Sequence, residues 1–204
     1  MTRIKICGLM RMQDIQAVNE ALPDYIGFVF AASRRRITHE KAGEMKACLD
    51  PGIKTVGVFV NEDIENIVKL CNSHVIDMVQ LHGDEDEGYI RKLKDRIPNK
   101  IIKAVRVRNA GDIERATELS CDYLLLDAYN ERMYGGSGET FDWAVIPKIE
   151  KPFFLAGGIN AGNVLQAIER YRPYCIDVSS GVETGGYKDA CKIMDIVSRI
   201  RGGR

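Results

Sequence analysis

Cys7 and Asp127 each close a short apolar run, Ile4-Lys5-Ile6-Cys7 and Tyr123-Leu124-Leu125-Leu126-Asp127, and each is a residue type able to move a proton. A thiolate at a strand end, beside Lys5 and facing a cationic mouth, can act as a base as well as a nucleophile. A carboxyl against apolar walls tends to keep its proton, which suits a general acid. Taken alone, neither is specific: a lone cysteine beside a strand is more commonly core packing, and an aspartate more commonly a cap.

Two glycine-bearing turns narrow the chemistry. Ala156-Gly157-Gly158 and Asp177-Val178-Ser179-Ser180-Gly181 each follow an apolar run near the end of the chain. Backbone N–H groups in such turns can approach phosphate oxygens closely, with serine hydroxyls as further donors. Tight turning alone would also explain the glycines. The run Ser33-Arg34-Arg35-Arg36 offers planar guanidinium groups that can hold a carboxylate by two parallel hydrogen bonds, although such runs are most often solvated patches. His82 has no neighbouring ligand set, since His39 and His74 fall on or beside helices, so no metal site is expected.

These residues need a frame that brings strand ends together. Apolar, β-branched runs at 4–7, 25–30, 55–60, 78–81, 101–105, 123–126, 153–156 and 175–178 read as parallel strands buried on both faces. Helical spacing lies between them, as in Ile64, Ile67, Val68 and Cys71, or Ala190, Ile193, Met194 and Val197. Asn61, Asp63 and Asn109 are candidate N-caps. Eight strands alternating with helices form either an open doubly wound sheet or a closed (βα)8 TIM barrel. The turn after the first strand, Cys7-Gly8-Leu9-Met10, lacks the G-x-G-x-x-G of the open sheet, so the α/β barrel is the expectation, as one catalytic domain over 1–204. In a barrel the active site lies at the C-terminal strand ends, where Cys7, Arg35, Asp127, Gly158, Asp177, Ser180 and Gly181 all fall.

Composition restricts the partners. Lys plus Arg and Asp plus Glu are 29 each, so no net field draws the chain to nucleic acid or an anionic membrane. No apolar run approaches the ~20 residues of a membrane span, and no signal-peptide core stands at the N-terminus. The six cysteines form no C-x-x-C pair and mostly sit among apolar neighbours, which points to reduced thiols in a cytoplasmic enzyme. Whether it is a monomer or a homodimer is left open.

The motifs together resemble the phosphoribosylanthranilate isomerase family. They run in order over nearly the whole chain: Lys5-Ile6-Cys7-Gly8, Gly27-Phe28-Val29-Phe30, Ser33-Arg34-Arg35, Gly57-Val58-Phe59-Val60-Asn61 and Val79-Gln80-Leu81-His82-Gly83. Leu126-Asp127, Gly135-Gly136-Ser137-Gly138, Phe141-Asp142-Trp143, Ala156-Gly157-Gly158-Ile159 and Asp177-Val178-Ser179-Ser180-Gly181-Val182-Glu183 complete the series. The resemblance implies an Amadori rearrangement in tryptophan biosynthesis, in which N-(5-phosphoribosyl)anthranilate becomes 1-(2-carboxyphenylamino)-1-deoxyribulose 5-phosphate without a cofactor. It implies Cys7 as general base and Asp127 as general acid. It further implies Arg35 on the anthranilate carboxylate, Gly158, Ser180 and Gly181 on the phosphate, and Asp177 near the sugar hydroxyls. The loop between Phe30 and Ser33 is one residue shorter than the family pattern, which leaves Arg36 as an alternative to Arg35. The stretch 127–135 is slightly longer, in what would be a lid. Histidine-pathway isomerases of the same reaction type resemble this chain less, because they carry a carboxylate where it has Cys7. A non-catalytic phosphate-binding barrel is the other alternative, and it would have no use for an acid–base pair.

Overall fold

The computed structural model describes residues 1–128 and 143–202. Eight parallel strands close into a barrel in sequence order: β1 (Arg3–Cys7), β2 (Tyr25–Val29), β3 (Lys54–Phe59), β4 (Met78–Leu81), β5 (Lys100–Val107), β6 (Tyr123–Ala128), β7 (Phe153–Leu155) and β8 (Cys175–Val178). β8 pairs back onto β1, with Asp177 opposite Lys5. The expected (βα)8 barrel is therefore the architecture found. Continuous apolar runs are the sequence signature of such strands, because one face meets the barrel interior and the other the helices.

The helices are α1 (Met12–Ala21), α2 (His39–Ala47), α3 (Ile64–Asn72), α4 (Glu87–Lys94), α5 (Ala110–Thr117), α6 (Val164–Tyr171) and α7 (Ala190–Gly202). Asp63 caps α3 by accepting from the Glu65 amide, and Asn109 caps α5 by accepting from the Asp112 amide, both as the sequence suggests. Asn61 is not a cap. It sits at φ +49° and its side-chain oxygen accepts from the Asp84 amide, tying the loop after β3 to the loop after β4. Between β6 and β7 the described residues contain a single 3-10 turn, Trp143–Val145. The motif Gly135-Gly136-Ser137-Gly138 and the expected lid lie outside the described residues.

Two apolar layers hold the frame. The barrel interior is filled by Tyr25, Val56, Met78, Ile102, Leu125 and Phe154 together with smaller side chains. A larger layer, including Ile6, Phe28, Val79, Ile101, Leu124 and Ile176, packs the outer strand faces against the helices. At the N-terminal mouth a repeated device secures the strands: Asp24, Asp77 and Asp122 directly precede β2, β4 and β6. Their carboxylates accept the amides of Ile4, Thr55 and Ile101 on the preceding strands. This end of a barrel is the one that serves stability, which leaves the opposite mouth for chemistry.

Candidate active site

β1 turns Lys5 and Cys7, two residues apart, toward the same face. Lys5 is fully buried, and its Nζ lies 3.0 Å from each carboxylate oxygen of Asp177. Burial works against a charge at Lys5, but Asp177 and Cys7 outweigh it and its pKa stands above the ordinary lysine value. At Cys7 the balance goes the other way. Burial pushes the thiol up, Lys5 gives the strongest downward pull, and the net shift is upward. The sequence suggests a thiolate; burial opposes that charge more strongly than Lys5 favours it. Gly27, opposite Cys7 on β2, makes room for it: a Cβ there would lie 2.7 Å from the sulfur.

Asp127 stands on β6 in register with Arg106 of β5, so Arg106 lies within its strand rather than after it. One Asp127 oxygen accepts from the Ala128 amide at 2.9 Å, and the other lies 3.4 Å from His82 Nε2. His82 Nδ1 in turn is 2.9 Å from Gln80 Nε2. If the Gln80 amide donates, the ring proton sits on Nε2 and faces the carboxyl. The 3.4 Å approach is too long to count as a hydrogen bond made, and it is an ion pair only with a protonated imidazole. His82 Nε2 and Gln80 Oε1 are both buried with no hydrogen-bond partner among the described residues. Unpaired buried polar atoms are costly, so this cluster is set up for a further donor or acceptor.

A buried pair sets the loop that carries His82. Lys103 on β5 donates to the Gly83 carbonyl and to Glu85 Oε2, each at 2.7 Å. Glu85 also accepts the amides of Asn61 and Gly83.

The loops after β7 and β8, read in the sequence as a candidate phosphate cradle, touch one another. Gly157 and Gly158 take φ of +80° and +65°, conformations that suit glycine. A Cβ on Gly157 would lie 3.4 Å from Asp127 Oδ1, which places that carboxyl group beside this loop. A Cβ on Gly181 would fall 2.0 Å from the Ile159 carbonyl oxygen, so only glycine lets the two loops touch. Ser180–Val182 forms a 3-10 turn, whose leading amides have no partner within the turn. Ser179 Oγ donates to the Cys7 carbonyl at 3.1 Å, joining this loop to the end of β1.

Of the arginine run, Arg35 is buried, whereas Arg34 and Arg36 are exposed. Arg35 lies across Gly8, where a Cβ would sit 2.4 Å from its Cδ. It forks onto Glu183 through Nε at 2.7 Å and Nη2 at 3.0 Å. Glu183 belongs to a hairpin that the sequence reading missed, β9 (Glu183–Thr184) with β10 (Tyr187–Lys188). Its signal was Gly185-Gly186 between two short polar pairs.

An open groove of about 600 Å³ bordered by Glu114, Asp122, Lys148 and Lys151 lies where β6 and β7 begin, away from these groups. Among the described residues no three His, Cys, Asp or Glu gather as a metal-ligand set.

The family model for N-(5'phosphoribosyl)anthranilate (PRA) isomerase matches residues 4–199. The chain belongs to that family. A PRA isomerase family relative, N-(5'-phosphoribosyl)anthranilate isomerase of Endomicrobium trichonymphae, is 49% identical, covering 98% of this chain and 99% of its own. The crystal structure of phosphoribosyl anthranilate isomerase from Thermus thermophilus superposes with a TM-score of 0.88 at 30% identity, covering 100% of both chains. A PRA isomerase crystallised with reduced 1-(o-carboxyphenylamino)-1-deoxyribulose 5-phosphate superposes with a TM-score of 0.83 at 36% identity, covering 99% of this chain and 100% of that one.

Proposed function

We propose that this chain converts N-(5'-phosphoribosyl)anthranilate to its aminoketose, 1-(2-carboxyphenylamino)-1-deoxyribulose 5-phosphate, with Asp127 as acid and Cys7 as base. The observation that carries the reading is the placement of one carboxyl and one thiol at strand ends on either side of two touching glycine loops. The family membership and a relative's complex with the reduced product support the same substrate.

In this reading Asp127 gives its proton to the furanose ring oxygen, and the ring opens to a Schiff base. Cys7 then takes the proton from C2. The electrons of that C–H bond flow into the imine and form an enolamine, which tautomerises to the ketone. A thiol whose pKa is raised is the stronger base once it has lost its proton. The Amadori chemistry uses the substrate's own imine as the electron sink, so no cofactor is assigned.

The phosphate belongs on the backbone amides of Gly158, Ser180 and Gly181. Arg35 rather than Arg36 takes the anthranilate carboxylate, since it is the arginine of the run that is buried and laid across Gly8 beside Cys7. Asp177 keeps lone pairs for a sugar hydroxyl while holding Lys5. The substrate class is a small phosphosugar; nucleic acid and membrane play no part, and no described helix is long and apolar enough to cross a bilayer. The cytoplasm is the compartment assigned to such a pathway enzyme.

The test is direct. Purified protein without added metal should consume the substrate, followed by the fall in fluorescence of its anthranilate group. No turnover, or turnover untouched by Cys7→Ser and Asp127→Asn, would remove the assignment.

A further inference from the structure

The β9–β10 hairpin places a carboxylate behind the arginine assigned to the substrate. Its two turn residues, Gly185 and Gly186, take φ of +58° and +84°, as a type I′ turn demands. The turn sets Lys188 opposite Glu183 in register. Glu183, with its side chain 6% exposed, accepts from Arg34 Nη2 at 2.7 Å, Arg35 Nε at 2.7 Å, Arg35 Nη2 at 3.0 Å and Lys188 Nζ at 2.7 Å. Lys188 also donates to the Ser179 carbonyl at 2.9 Å, in the loop that carries the proposed phosphate site. Burial opposes the Glu183 charge, yet Arg35 and Lys188 hold its carboxyl below the usual range.

This geometry spends only one edge of the Arg35 guanidinium. Glu183 occupies the Nε–Nη2 edge, and Arg35 Nη1 has no acceptor among the described residues. The remaining Nη1–Nη2 edge is a second fork of the same plane, suited to one more carboxylate. Three cations on one carboxylate also leave the cluster net positive, so an incoming anion is still attracted. An unrestrained arginine would lose its rotamer freedom on binding, whereas this one has lost it beforehand.

We propose that Glu183 is a specificity-determining positioning residue: it holds Arg35 with its free edge toward the substrate and thereby selects an aryl group bearing a carboxylate. The inference rests on the reading of Arg35 as the carboxylate clamp. In Glu183→Gln one accepting oxygen becomes an NH2 group that repels an Arg35 N–H, so the fork breaks while the volume is kept.

The experiment measures kcat and KM for N-(5-phosphoribosyl)anthranilate and for carboxylate-free N-(5-phosphoribosyl)aniline, in wild type, Glu183→Gln and Arg35→Met. Glu183→Gln should raise KM for the anthranilate substrate roughly tenfold or more, the size of one charge-assisted fork. Its kcat should stay within about threefold, and kcat/KM for the aniline within about twofold. Equal losses on both substrates would overturn the proposal, since a merely structural residue would harm both. A lowered KM for the anthranilate substrate would also overturn it, because Glu183 would then only damp the Arg35 charge. If Glu183→Gln does not fold, Glu183→Asp takes its place; it keeps the charge on Lys188 but withdraws from Arg35, and the same selective rise is expected. Should Arg35→Met harm both substrates alike, the clamp reading itself fails; should Arg35→Met be selective and the Glu183 variants not, this proposal alone falls.

Discussion

The two flanks of the barrel mouth are bonded differently. Around β1, β8 and the hairpin, buried charges are matched: Lys5 with Asp177, and Arg35 and Lys188 with Glu183. Around β4 and β6, by contrast, Gln80, His82 and Asp127 adjoin one another with two buried atoms left unpaired. The first flank has its charges paired before any ligand arrives and leaves one Arg35 edge open, which suits fixed anion clamps and a base whose basicity is set by its neighbours. The second retains hydrogen-bonding capacity that no described residue uses, which suits the place where a ring oxygen receives a proton.

Removing the proposed base and acid should have the largest effect. Cys7→Ser and Asp127→Asn should each lower kcat by about 10²–10⁴-fold, the usual worth of a placed base or acid, with the circular dichroism spectrum unchanged. The thiol must lose its own proton before it takes another, and its pKa is raised. Turnover (kcat/KM) should therefore climb as pH rises toward that value, and the climb should vanish in Cys7→Ser. If the rate is flat across the alkaline range, Cys7 is not the base.

Breaking the matched flank should cost stability first. Lys5→Met leaves Asp177 buried and unpaired, a loss of about 3–5 kcal/mol by the usual cost of splitting such a pair, visible as a lower urea midpoint. It also removes the strongest downward pull on Cys7, so the alkaline climb should move to higher pH. Gly27→Ala should act on rate with less effect on stability. The added methyl would meet the Cys7 sulfur at 2.7 Å, inside ordinary contact distance, so the sulfur must shift, and a misplacement of about 1 Å costs on the order of 10²-fold in kcat.

The open flank is tested by Gln80→Leu, which removes the group that fixes the His82 ring. One lost buried hydrogen bond is worth roughly 1.5 kcal/mol, or about a tenfold fall in kcat/KM. No change would mean that His82 and Asp127 are held by packing alone. Arg34→Ala should have the smallest effect. Its side chain is 58% exposed although it shares Glu183 with Arg35, so the substrate KM should shift by less than about twofold. A shift as large as that of Arg35→Met would erase the distinction between the two arginines.

The frame was legible because parallel strands buried on both faces leave uninterrupted apolar runs, and all eight strands lie where those runs fall. The candidate site was partly legible through one geometric rule, that reactive residues of a barrel follow strand ends: Cys7, Asp127 and the glycines of the last two loops all stand there. Buried charge pairs were not. Lys5, Lys103, Glu85 and Lys188 look like surface residues in a linear pattern, since nothing local marks the partner that makes their burial tolerable. Lys5 and its partner are 172 positions apart. The Glu183 hairpin escaped for a related reason, as each of its strands has only two residues and no alternation to read. At Cys7 the adjacency to Lys5 is written in the chain, while the burial that opposes a thiolate charge is not.

Gly181 carries a consequence for how such a barrel can diverge. Its contact with the Ile159 carbonyl is backbone against backbone, so any larger residue there must part the two loops rather than adjust a side chain. The end of the barrel mouth proposed to hold the phosphate is thus nearly all-or-nothing under mutation. The opposite end, built from long side chains in the arginine loop and hairpin, can be retuned one residue at a time.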